Sequence, residues 1–220
     1  MYTTNSLLAV TVLAAASAQA LGYEPAGLFT MDTVIARPQL QPEARAQAVL
    51  DFWEQAGPAL WFAKDDAFDK RFRERFLLDH EAAARGELAN WQATPEGALA
   101  LVILLDQFPR NAFRGTPRMY GTDASARRVA SLSLAAGYDR TFPVPLRKFF
   151  VLPFAHSEEL ADQERAVALA RRLGADDLAH AEHHRDIVRR FGRFPHRNAI
   201  LGRPSTKEET DYLDHGGYSG

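Results

Sequence analysis

The amino-acid sequence predicts an all-α protein, an array of antiparallel helix pairs in one domain over residues 42–220. Three observations predict it. Apolar residues recur at helical spacing nearly everywhere from Pro42 onward, several of these runs end on a glycine able to take a left-handed cap, and the alternation expected of strands is absent. A chain of 220 residues with 46% hydrophobic and 25% charged residues is long enough for one ordinary core. It has no cysteine, which excludes disulfides and thiolate metal sites.

Residues 1–41 read as an N-terminal extension. A short apolar run over residues 7–16 and the small-residue triplet Ala18-Gln19-Ala20 are signal-like, but the first six residues carry no Lys or Arg. Met31 offers an alternative start, and Gly22, Pro25, Gly27 and Pro38 mark a linker. A start at Met31 predicts a cytoplasmic protein, whereas a genuine signal peptide predicts a periplasmic or secreted one. The run falls short of the ~20 apolar residues a membrane span needs, so no membrane association is expected.

The helices follow in order. Asp65-Asp66 can cap a helix that carries Phe68, Phe72 and Phe76 on one face. Thr94-Pro95 supplies an N-cap and first helical residue, and the run over residues 98–105 is apolar on all sides, which makes that helix central. Further helices are expected over residues 123–137, 157–174 and 176–192, with Ser157 as a cap, and Thr206-Lys-Glu-Glu209 is a capping box.

One phrase occurs twice. Leu-Leu-Asp-Gln-Phe-Pro-Arg-Asn ends at Asn111, and Gly-Arg-Phe-Pro-His-Arg-Asn ends at Asn198. Each proline is expected to end or bend a helix, so that each motif delivers Arg and Asn from irregular backbone and the two lie side by side. Asp106 then falls at a helix C-terminus, where an anion is disfavoured and needs a cation such as Arg110 or Arg114. Such a pairing has a plain structural reading as a buried ion pair.

Charge sharpens the alternative. Residues 106–128 and 185–203 together hold eleven arginines against three aspartates, two basic islands in a chain whose net charge is −2. Islands folded together would attract a carboxylate, a phosphate or an acidic protein surface. The acidic remainder argues against nucleic acid as the partner. Between the islands, His156 precedes a predicted helix start, and His180 and His184 stand one turn apart without the full His-Glu-x-x-His pattern, so no metal is expected. No phosphate-binding glycine loop, nucleophile elbow or haem motif occurs, and no cofactor is expected.

The phrases Val-Leu-Asp-Phe-Trp (49–53), Leu-Leu-Asp-Gln-Phe-Pro-Arg-Asn, Leu-Pro-Phe-Ala-His-Ser-Glu, Arg-Phe-Gly-Arg-Phe-Pro-His-Arg-Asn-Ala-Ile-Leu-Gly-Arg (190–203) and the Gly-Gly-Tyr-Ser-Gly tail resemble the bacterial family catalogued as domain of unknown function nine-two-four. The resemblance spans roughly Pro42 to Gly220 and implies a tetratricopeptide-like helical fold without implying a reaction. It places weight on Asp106, Gln107, Arg110, Asn111, Arg114, His156, Glu158, Gln163, His184, Arg193, His196, Arg197 and Asn198. Two functions fit these residues. In one, arginines hold an anionic small molecule while His156, His184 or His196 supplies acid–base chemistry; in the other, a non-catalytic scaffold binds an acidic peptide.

Overall fold

The structure is a computed structural model that describes residues 41–220; the signal-like run, Met31 and the linker before Gln41 lie outside the described residues. Helix α1 (Pro42–Ala56) presents Ala46, Val49, Leu50 and Trp53 to the core at helical spacing. In α2 (Asp66–Ala84) the Asp65 side chain accepts from the Phe68 amide, and Phe68, Phe72 and Phe76 are all buried, as their four-residue spacing predicts. Helix α3 (Pro95–Val102) starts at Thr94, whose hydroxyl accepts from the Gly97 amide. A Cβ on Gly97 would stand 2.1 Å from the Trp91 carbonyl oxygen, so only glycine lets these backbones approach.

Helix α3 is the centre of the fold, with every residue from Gly97 to Gln107 buried. It does not end near Asp106. The chain widens into a π-helical turn, Ile103–Gln107, and continues into α4 (Phe108–Ala112), so Pro109 sits inside a continuous helical path. This corrects the expectation that Pro109 forces the chain out of helix. A proline there removes the donor for the Leu105 carbonyl and crowds it, and a wide turn relieves the crowding. Side chains satisfy the carbonyls left over: His80 Nδ1 lies 2.8 Å from the Leu104 oxygen, the Thr122 hydroxyl donates to Leu105, and Arg110 donates to Asp106 at 2.8 Å. Helical register therefore survives the proline, and Arg110 stands one turn beyond Asp106.

Helix α5 (Asp123–Ala135) packs on α3 and ends at Gly137, left-handed at φ 75°. Helices α6 (Leu160–Ala170) and α7 (Ala175–Phe191) form an antiparallel pair across a short connection, and α7 stops at Gly192, left-handed at φ 69°. Helix α8 (Lys207–Asp214) carries the capping box: Thr206 accepts from the Glu209 amide while the Glu209 carboxylate accepts from the Thr206 amide. Ser157 is not the cap of α6. Its hydroxyl accepts from the Glu159 amide in a local turn and donates to Asp162, while Glu159 occupies the capping position.

Among the described residues there is no strand, so the fold is all-α. Element lengths are too unequal for copies of one repeat, in keeping with a sequence that lacks one. No helix among the described residues is long and apolar enough to cross a membrane.

Candidate functional site

The two Phe-Pro motifs meet on Asp123, the first residue of α5, where the helix dipole favours an anion. Arg110 donates from both terminal nitrogens to the two Asp123 oxygens, at 2.8 and 3.1 Å, and Arg197 Nη1 approaches the same carboxylate at 3.8 Å. The repeated motif thus places two arginines about one acid. The first delivers its arginine from helical backbone and the second from the 3₁₀ turn Pro195–Arg197.

Beside them opens a cavity of about 260 Å³, bordered by Gln107, Arg110, Asn111, Arg114, Tyr120, His156, His180, His184, His196, Arg197 and Tyr218, with Trp61, Phe62, Met119 and Leu152 as its apolar wall. Directly behind His156 lies Asp106, fully buried. It accepts from Gln107 Nε2 at 2.7 Å and from His156 Nδ1 at 2.8 Å, with Arg110 Nη1 at 3.2 Å. Burial alone would raise the Asp106 pKa, but the Arg110 and His156 charges and the two hydrogen bonds outweigh it and hold the carboxyl at about 2. Asp106 is therefore ionised, which makes His156 Nδ1 the protonated nitrogen of a neutral ring and leaves Nε2 as the base. Burial, then the Arg110 charge, lowers the His156 pKa, while Asp106 opposes them.

The three arginines of the cavity differ sharply. Arg110 is held by Asp106 and Asp123. Arg114 is held by Asp69 and the Ala63 carbonyl, and Asn111 donates to the same Asp69. Arg197 is only 6% exposed, yet its guanidinium donates no hydrogen bond to any described residue, and its Nε is buried without a partner. Its guanidinium carbon lies 4.5 Å from the ring centroids of both Tyr120 and Phe194, within cation–π range of each. Burial, then the Arg110 charge, pulls its pKa below the usual arginine value.

The histidines form a neutral cluster at the same end. Burial, then His180, pushes His184 down to about 3, and burial, then Arg197, pushes His196 down to about 4. The His184 and His196 rings lie 4.7 and 5.2 Å from Tyr218. Among the described residues, no group of three or more His, Asp or Glu is placed to hold a metal ion.

The remaining predicted residues face elsewhere. Glu158 accepts from Arg203 and from the Phe194 amide. Arg193 pairs with Glu209 in α8. Asn198 accepts from Arg203 at 3.0 Å, and Gln163 donates to the Ala155 and Ser157 carbonyls. These four brace the second motif and the turn after His156; they do not border the cavity. Sequence reasoning missed Tyr120, Tyr218, Asp69, Asp123 and the apolar wall. Tyr120 and Asp123 both stand inside the first basic island, and an acid inside such an island was the available signal.

The islands carry no free surplus at the cavity, where Arg110, Arg114 and Arg197 face Asp69, Asp106 and Asp123. Much of the rest is spent on surface pairs, Arg127 with Asp162, Arg189 with Glu164 and Arg190 with Glu208.

Comparison with curated proteins gives no match. Among solved structures, a protein of unknown function from Agrobacterium tumefaciens superimposes with a TM-score of 0.79 at 53% sequence identity, covering 80% of this chain and all of that one. The profile of a family described as "Bacterial protein of unknown function (DUF924)" matches residues 49–217, a span that holds α2 to α8, both Phe-Pro motifs and every arginine and histidine of the cavity. The chain belongs to that family.

Proposed function

We propose that the cavity binds a small anionic molecule, a carboxylate or phosphate, with its charge at Arg197, and that the neighbouring His156–Asp106 pair supplies acid–base chemistry. The observation that carries this reading is the state of Arg197: a buried guanidinium with five donors and no hydrogen bond to any described residue. Leaving such a group unsatisfied costs the fold ~1–3 kcal/mol or more, a cost that an incoming anion offsets. His156 suits the chemical role because its tautomer is fixed by an ionised carboxylate and its side chain reaches the cavity. A recessed space of about 260 Å³ favours a small molecule over the side chains of an acidic peptide, which would need an open, arginine-lined groove.

Thermal melts in phosphate, acetate and chloride at equal ionic strength test the reading. The expected result is stabilisation by phosphate or acetate beyond chloride, about 2.7 kcal/mol at a hundred times the dissociation constant, and its loss in Arg197→Gln. Equal stabilisation of the variant and the native chain would overturn it.

A further inference from the structure

We infer that the molecule bound at Arg197 is a monocarboxylate with a ring-sized apolar body, an aryl or arylalkyl carboxylate, a conclusion that rests on the reading of Arg197 as an anion anchor. Charge comes first. Arg110 and Arg114 are already neutralised by acids, and the three arginines of the cavity face three aspartates. One loosely paired guanidinium has room for one negative charge; a phosphate dianion would leave a second charge uncompensated among Asp106 and Asp123.

The rest of the cavity defines the body. Trp61 spends its indole N–H on the Trp53 carbonyl at 2.6 Å and so presents only carbon to the cavity. Phe62 is 57% exposed at the rim, and Met119 and Leu152 complete the wall. The amide donors nearby point into the protein, Gln107 to Asp106 and Asn111 to Asp69. Beyond Arg197, the histidine rings and the Tyr120 and Tyr218 hydroxyls, few donors remain for polar substituents. Trp61 meets Phe149 edge-on and Phe62 stacks on it, whereas the rings around Arg197 are Tyr120, Phe194, His196 and Tyr218; no ring pair joins the two groups among the described residues. The cavity thus has a cationic end and an apolar end. A cavity of about 150 Å³ accommodates benzene, so one of about 260 Å³ takes a ring with a short carboxylated chain.

The test is calorimetric titration of the full chain with phenylpropionate, acetate and the neutral amide phenylpropionamide, at equal ionic strength. Phenylpropionate is expected to bind about 10- to 100-fold more tightly than acetate, the gain from burying one ring. The amide is expected to bind at least ~10-fold more weakly than the acid. Phe62→Ala, a change at an exposed position, is expected to reduce the advantage of phenylpropionate over acetate. If acetate binds as well as phenylpropionate, the ring-sized body is wrong and the anion anchor stands. If the amide binds as tightly as the acid, or neither acid binds, the anchor fails and this inference fails with it. The comparison of acid with amide uses only the native chain, so it holds even if a variant does not fold.

Discussion

At the scale of single residues, Asp106 decides the state of the site. Among the described residues it is the only acid that touches His156, and its loss leaves both His156 and Gln107 without a buried partner. Arg110 keeps Asp123, so Asp106→Ala should cost about 3 kcal/mol, towards the lower end of the range for breaking a buried pair. Urea melts measure this, and a change below ~1 kcal/mol would mean that the pairing contributes little. The buried histidines give a pH signature. Burial first, with neighbouring charges, lowers His184 to about 3 and His196 to about 4 in the folded chain, against 6.5 for the ordinary side chain. Between those values the unfolded chain binds protons that the folded chain refuses. Stability should therefore be fully present above 6.5 and fall on acidification, by up to a tenfold change in the folding equilibrium per pH unit for each histidine. Asp106 adds its own loss only at lower pH, from its ordinary 3.8 down through about 2. His184→Gln should flatten the slope above about pH 4; an unchanged slope would show that His184 takes up its proton while folded.

At the scale of elements, three of the four caps read from sequence hold, because Asp65, Thr94 and Thr206 act through their own neighbouring amides, whereas Ser157 forms a local turn instead. Pro109 misled because proline reports only on its own backbone. Whether a helix can widen around it depends on distant partners, here His80 and Thr122, for the freed carbonyls. Thr122→Val keeps the shape and removes the hydroxyl, so it should cost ~1–3 kcal/mol if the Leu105 carbonyl is left buried and unpaired. Gly97→Ala tests the neighbouring turn. Its methyl would meet the Trp91 carbonyl, and a loss of ~1–3 kcal/mol is expected despite the better helix propensity of alanine. An unchanged melting temperature would show that the segment around Trp91 yields freely. Tyr218 was illegible for a different reason: the tail returns to the histidines through a tight turn in which the Tyr218 amide donates to the Tyr212 hydroxyl and a Cβ on Gly217 would crowd Tyr212. Nothing in local patterning encodes that return.

At the scale of the whole molecule, the side-by-side placement of the two Phe-Pro motifs was legible because the same phrase recurs with opposing charge available between its copies. The outcome of that placement was not. Counting charges along the chain predicts a cationic patch, whereas folding pairs most island arginines with an acid from another element and leaves the Arg197 guanidinium with only a 3.8 Å approach to Asp123. What distinguishes the site is therefore an unfilled set of hydrogen-bond donors rather than a net charge. A formally balanced cavity that accepts an anion should also draw a proton onto a histidine, so binding should strengthen as the pH falls, and proton uptake by calorimetry in two buffers would show it. The central claim, that Arg197 is the anchor, is met most directly by a crystal structure of the chain grown with phenylpropionate. The account predicts a carboxylate oxygen within about 3 Å of an Arg197 terminal nitrogen and the ring against Trp61 and Phe62. A carboxylate bound at Arg114 or in the open groove beside Arg190 and Tyr212, with Arg197 untouched, would contradict it.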